Sequence, residues 1–205
     1  METLLLSTAA GDWTSEALKC LRAGGLVAFP TDTVYGLGSL VFDEKAVQSI
    51  YVAKGRSEDK AIPVLLGHAD QLDQVAVSLP PVARSLAERF WPGPLTLVVQ
   101  KQPSLPIAVS SRDTVGVRVP NHAVARALLI AAGPMAVTSA NLSGAASTRS
   151  AEEVLEQLRG RIPLILDGGV TPGGVPSTVM DCTQPEPRIL REGPISLADI
   201  RNTLG

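Results

Sequence analysis

Residues 26–38 read Leu-Val-Ala-Phe-Pro-Thr-Asp-Thr-Val-Tyr-Gly-Leu-Gly. Leu26–Phe29 is an unbroken apolar run, too short for a helix, and it reads as a strand buried on both faces. Pro30 ends the run because it has no N–H to give a ladder. A strand covered on both sides needs helical layers, and the flanking sequence supplies helical patterns. Upstream, Thr14–Ala23 spaces Ala17, Leu18 and Leu21 along one helix face and stops at Gly24-Gly25. Downstream, Gly38–Phe42 reads as extended. Asp43 then stands where it can cap a helix carrying Val47, Ile50 and Tyr51 on one face and ending near Lys54-Gly55.

The same alternation continues along the chain and predicts an α/β domain. Further strands are expected at Leu4–Ser7, Ile62–Leu66, Leu95–Gln100, Val115–Val119, Met135–Val137, Leu164–Leu166, Thr178–Asp181 and Arg188–Leu190. Helices fit at Pro81–Phe90, with proline in the first turn, and at Ala123–Ala132, with Asn121 as cap. Val154–Leu158 follows capping-box spacing at Ser150–Glu153, and Ser196–Thr203 closes the pattern. No composition shift marks a linker, so residues 1–205 are expected to form a single domain. The 16 prolines and 18 glycines sit mostly in connections, which makes the loops shaped ones.

Composition narrows the function classes. At 45% hydrophobic and 19% charged the chain can bury a core, and at 3% aromatic that core must be aliphatic. A net charge of −2 argues against coating nucleic acid through bulk charge, although a local basic patch is compatible with it. Cys20 and Cys182 are far apart and His68 and His122 have no neighbour at ligand spacing. No metal site is therefore expected, and the histidines read as surface or capping residues. The start lacks a basic region and a long apolar run, so it is not a signal peptide. No segment reaches membrane-span length, and the expectation is a cytoplasmic protein without a membrane partner.

Four sets of residues carry chemistry. Pro30–Gly38 leaves a buried strand at the end where α/β sheets hold ligands, and its hydroxyls and glycines suit a small polar ligand; a plain Pro/Gly turn accounts for the same string. Lys54-Gly55-Arg56, with Lys60, gathers cations suited to polyphosphate if Gly55 lets Arg56 swing to the side of Lys54; cations complementing a helix C-terminus are the alternative. Thr138-Ser139-Ala140-Asn141-Leu142-Ser143-Gly144 puts Ser139 and Asn141 on one side of an extended segment, as a phosphate-binding or merely turn-forming string. Arg112, Arg118, Arg188 and Arg191 lie in or beside strands, where arginine meets either solvent or an anion. Trp91-Pro92-Gly93-Pro94 reads as a rigid corner of the architecture. No GxxxxGK[ST] loop, HExxH, GxSxG or strand-borne GxGxxG occurs.

Taken in order, Pro-Thr-Asp-Thr-Val-Tyr-Gly-Leu-Gly, Lys-Gly-Arg, Trp-Pro-Gly-Pro-Leu-Thr, Val-Arg-Val-Pro, Ser-Ala-Asn-Leu-Ser-Gly, Ser177-Thr178-Val179 and Leu190-Arg191-Glu192-Gly193 resemble the YrdC/TsaC family of threonylcarbamoyl-adenylate synthases across about residues 14–201. The resemblance implies a twisted mixed sheet with helices around it and a large basic concave cavity. It implies a nucleotidyltransferase that joins L-threonine, bicarbonate or CO₂, and ATP, with Mg²⁺ accompanying the ATP. The family's tetrad falls on Lys54, Arg56, Ser139 and Asn141. Thr33, Arg118 and Ser177 are then expected at threonine, and Arg56, Lys60, Thr114, Ser139, Ser147 and Arg191 at ATP. The partner implied is a downstream tRNA threonylcarbamoyl transferase complex. Double-stranded RNA or tRNA binding by the same concavity is the rival reading, and a paralogue that carbamoyl-adenylates another substrate is a second. The chain departs from some relatives at Lys60 (Asn there), Leu65 (His there) and Thr138 (Pro there). The extra C-terminal domain of longer relatives is not expected within residues 1–205.

Overall fold

The structure, a computed structural model, describes residues 1–9, 11–184 and 186–204. Its strands are β1 (Leu4–Ser7), β2 (Val27–Phe29), β3 (Gly36–Leu40), β4 (Val64–Leu65), β5 (Leu95–Gln100), β6 (Thr114–Arg118), β7 (Met135–Ser139), β8 (Leu164–Asp167), β9 (Thr178–Asp181) and β10 (Arg188–Arg191). All belong to one sheet in the order β1-β8-β2-β3-β7-β4-β6-β5-β9-β10. The pairing is mixed: β8 is parallel to both β1 and β2, while β3 runs antiparallel to β2 and β7. The helices are α1 (Trp13–Arg22), α2 (Glu44–Lys54), α3 (Pro81–Phe90), α4 (Ala123–Ala132), α5 (Ala151–Leu158) and α6 (Leu197–Leu204).

The pleat sorts the strands' side chains between two cores. Val27 and Phe29 of β2, Met135 and Val137 of β7, and Leu164 and Leu166 of β8 join Ala17 and Leu21 of α1 and Leu128 and Leu129 of α4. Ala28, Ala136 and Ile165, one step along, join the larger core with α2, α3, α5 and α6. On β5 and β6 one face is wholly apolar, with Leu95, Leu97, Val99, Val115 and Val117 all entering the larger core, while Val98 is the one large apolar side chain on the other. No residue of β5, β6, β9 or β10 enters the α1/α4 core. The second helical layer therefore stops at β4, and beyond it the sheet is bare.

Most predicted elements are present, with informative shifts. The extended segment expected at 38–42 begins and ends earlier, because Gly36 pairs with Phe29 and Leu40 with Met135. The strand expected at 62–66 shrinks to Val64–Leu65. Pro63 has no N–H, and the N–H of Ile62 donates to Val109 O outside the sheet at 2.9 Å. α4 starts at Ala123 as expected, but that makes His122 rather than Asn121 the cap residue, and its side chain makes no capping bond. Asp43 does cap α2, accepting from the Ala46 N–H at 3.0 Å. Ser150 caps α5, but the carboxylate of Glu153 reaches back to the N–H of Arg149 at 2.6 Å, one residue beyond the capping-box partner. The 3₁₀ turn Ala69–Gln74, capped by His68, has no counterpart in the sequence reading beyond a capping role for that histidine.

Ile50 ties α2 to the larger core and is fully buried. Replacing it with alanine should lower unfolding free energy by roughly 2–5 kcal/mol, read as a fall in the urea midpoint with unchanged slope.

Candidate active site

The bare face carries the site. Thr96 and Val98 of β5, and Thr114, Gly116 and Arg118 of β6, alternate onto it and line a cavity of about 350 Å³. Thr33 and Ser139 close one side and Ser177 and Arg191 the other. Arg56, Arg112, Arg118 and Arg191 all line this cavity, and among the described residues no Asp or Glu does. Four cations without an acid on the wall make an anion site.

Arg118 ends β6 and is only 5% exposed. Its Nε donates to Gly93 O at 2.9 Å, Nη1 to Thr33 Oγ1 at 3.2 Å and Nη2 to Asp32 Oδ1 at 2.5 Å. One N–H on each terminal nitrogen remains for a ligand. Burial pushes the guanidinium below its usual range, Asp32 opposes this, and Arg191 adds to it. The Pro30–Gly38 turn divides its hydroxyls between structure and site. Thr31 Oγ1 donates to Val34 O at 2.7 Å and accepts from the Val34 N–H at 3.3 Å, which is plain turn formation. Thr33 Oγ1 meets Arg118 on the cavity wall.

Arg191 wraps Ser177, donating from Nη2 to its carbonyl at 2.8 Å and to its hydroxyl at 3.2 Å. The Ser177 hydroxyl lies 2.8 Å from Thr96 Oγ1, so β5, β9 and β10 converge there. Arg56 donates from Nη2 to Lys60 O at 3.2 Å and Ala61 O at 3.1 Å. Burial lowers the pKa of both Arg56 and Arg191, and Arg56 lowers that of Arg191 further. The two guanidiniums thus share one positive field.

Lys54 and Arg56 stay within electrostatic reach of each other but do not meet on the cavity wall. Gly55 takes a left-handed conformation (φ 59°) at the end of α2, which suits glycine. That turn sends Arg56 to the cavity and leaves Lys54 buried behind it, at 2% exposure. The Lys54 ammonium donates to the carbonyls of Ser139 and Asn141, and the Lys54 carbonyl accepts from the Ser143 N–H at 2.9 Å. Lys54 therefore clasps the Ser139–Ser143 turn and is not among the residues lining the cavity. Asn141 also lies off the wall: its Nδ2 holds Leu142 O and Ala145 O, each at 2.8 Å, and its buried Oδ1 has no partner. Lys60 is exposed, and it is its carbonyl that meets Arg56. Ser147 is half-buried and outside the wall. Thr33, Arg56, Thr114, Arg118, Ser139, Ser177 and Arg191 are the predicted site residues that the fold brings together.

Two contributors had been given no site role. Arg112, named only as an arginine in or beside a strand that meets solvent or an anion, lines the cavity from the bend before β6. The Trp91–Pro94 corner, read as architecture, supplies the Gly93 carbonyl that orients Arg118, and Trp91 Nε1 donates to Leu95 O at 2.7 Å.

This fold and this cavity define an α/β protein built to hold small anions. A profile of the Sua5/YciO/YrdC family, described as "Telomere recombination", matches residues 19–193, and the chain belongs to that family. It is 46% identical over 187 residues to the threonylcarbamoyl-AMP synthase of Pyrococcus abyssi, covering 90% of this chain and 55% of that one. It is 43% identical over 190 residues to the putative threonylcarbamoyl-AMP synthase of Mycobacterium tuberculosis strain H37Rv, covering 92% and 88%. The crystal structure of P. abyssi Sua5 complexed with L-threonine superposes with a TM-score of 0.94 at 42% identity, covering all of this chain and 61% of that one. The chain thus spans little more than half the length of the Pyrococcus relative.

Burial, and secondarily Arg56, pushes the Lys54 ammonium down to about 8 from 10.5. Between those values the unfolded chain holds a proton that the folded chain does not, so stability from this residue rises with pH across that window. Lys54→Met removes the titration. The unfolding free energy of the wild type, measured relative to Lys54→Met, should therefore be larger at pH 10 than at pH 7.5; an unchanged difference would mean that the two carbonyls hold the proton in place.

Proposed function

We propose that this chain forms L-threonylcarbamoyl-adenylate and pyrophosphate from L-threonine, bicarbonate or CO₂, and ATP, for threonylcarbamoyladenosine modification of tRNA. The observation that carries this reading is the acid-free cavity holding one arginine paired to a buried acid and three that are not. Similarity to synthases bearing that name, and to a relative whose structure holds L-threonine, supports it.

In this reading the two remaining N–H groups of Arg118 receive the threonine carboxylate, with Thr33 and Ser177 beside it. The neutral amine adds to CO₂, giving a carbamate and releasing a proton. A carbamate oxygen then attacks the α-phosphorus as the bond from that phosphorus to the pyrophosphate oxygen breaks. Such a displacement asks the protein for alignment and charge neutralisation. Arg56, Arg112 and Arg191 provide the charge, and the hydroxyls of Ser139 and Thr114 provide donors on the wall. ATP arrives as its Mg²⁺ complex. No carboxylate lies among the described lining residues, so the wall would meet the phosphates through its arginines and hydroxyls, and the ion would supply further charge neutralisation there. Lys54 and Asn141 act through the turn that carries Ser139. Lys60 and Ser147 meet the nucleotide only where it extends past the wall. The adenylate is a mixed anhydride and passes to a separate tRNA-modifying transferase.

Mass spectrometry of the protein with ATP, Mg²⁺, bicarbonate and threonine should show the adenylate, with pyrophosphate released in equal amount and none formed when threonine is omitted. Nucleotide turnover indifferent to threonine would exclude this function. Arg56→Ala should lower kcat by about 10²–10³-fold. Arg118→Lys keeps the charge but loses the planar fork, so it should raise the KM for threonine much more than that for ATP.

A further inference from the structure

Among the cavity arginines, Arg118 alone has an acid. Its ion pair with Asp32 is 2.5 Å long, with the two side chains 6% and 11% exposed, whereas Arg56, Arg112 and Arg191 form no salt bridge among the described residues. Asp32 is not part of the cavity wall, although Thr31 and Thr33 on either side of it are. It therefore stands behind Arg118.

The pair is held closed from several directions. Among the described residues, Asp32 Oδ2 is buried without a hydrogen-bond partner, and so is Nδ1 of His122. Burial pushes the His122 imidazole down, against the pull of Asp32, and no ion pair joins the two. Arg118 is thus the one cation within ion-pair distance of Asp32 among the described residues. The turn cannot retreat, because Gly174 N–H donates to Thr33 O at 2.6 Å. A Cβ on Gly173 would lie 2.8 Å from that oxygen and 2.9 Å from Asp32 O.

The reading above puts two kinds of anion in one cavity: a carboxylate carried by an amino acid and a polyphosphate. An arginine neutralised from behind offers hydrogen bonds with little net field, enough for the carboxylate of an amino acid. A polyphosphate, with several charges to balance, is drawn instead to unpaired guanidiniums. We propose that Asp32 is a specificity-determining positioning residue, keeping Arg118 for the amino-acid carboxylate and directing polyphosphate to Arg56, Arg112 and Arg191. This rests on the proposed function. Asp32→Asn keeps the shape and an oxygen for Arg118 but removes the charge, which should open the carboxylate position to polyphosphate.

Calorimetric titration with L-threonine, with and without inorganic pyrophosphate, tests this. In the wild type, pyrophosphate should leave the threonine Kd within about twofold, whereas in Asp32→Asn it should raise that Kd about tenfold or more, in a competitive pattern. Asp32→Glu, which keeps the charge, should restore indifference to pyrophosphate even if threonine itself binds less well. A purely structural role would weaken threonine in Asp32→Asn without creating competition. That outcome overturns the proposal, as does competition already present in the wild type, an arm that stands even if Asp32→Asn does not fold. Failure of the wild type to bind threonine at all would overturn the functional reading, and this inference with it.

Discussion

β5 and β6 send all but one of their large apolar side chains, Val98 being the exception, to one face, and where the second helical layer ends follows from that. On their core side Leu95, Leu97, Val99, Val115 and Val117 are buried under the larger helical layer. On the other side Thr96, Thr114, Gly116 and Arg118 offer α1 and α4 little apolar surface to cover, so those helices pack over β8, β2 and β7 instead. A sheet of this size needs both faces sealed for stability only where its side chains demand it. The cavity is thus a consequence of composition on alternate positions of two strands.

Burying arginine on such a face imposes a second requirement. A guanidinium taken out of water is tolerable when its donors are matched and its charge is met. Arg118 satisfies both by drawing on two segments distant in sequence, Asp32-Thr33 in the turn after β2 and the Gly93 corner. Arg191 and Arg56 follow a cheaper route, resting on main-chain carbonyls while remaining partly exposed, and their charges stay available. One cavity therefore holds two electrostatic environments a short distance apart.

The sequence made the strands legible because their apolar runs are short and bounded by glycine and proline; β5, β9 and α3 fall where the pattern puts them. It could not reveal the layering, since whether a helix covers β2 or β5 depends on pairings between strands more than a hundred residues apart, such as β1 with β8. Among site residues, those on alternate strand positions were within reach of local reasoning, whereas Arg112 lies in the bend before β6, where strand alternation does not say which way a side chain turns. Lys54 was beyond such reasoning. A cation next to a helix-ending glycine carries no local sign of whether it turns outward or inward, and here the answer depends on carbonyls at positions 139 and 141.

That inward turn couples the end of α2 to the chemistry. Lys54 holds the Ser139–Ser143 segment by its ammonium at two carbonyls and by its own carbonyl at the Ser143 N–H, while Asn141 fastens the following residues through Leu142 and Ala145. The main chain of the turn is thereby occupied, and the Ser139 hydroxyl, on the cavity wall, is left without a hydrogen bond among the described residues. A donor fixed in place before a ligand arrives loses little on binding and needs no reorganisation when charge develops opposite it. The cost of burying one ammonium is thus set against the rigidity of the segment that faces the anion. The same logic places Asp32 behind Arg118: in both cases a group off the wall determines what a group on the wall can do.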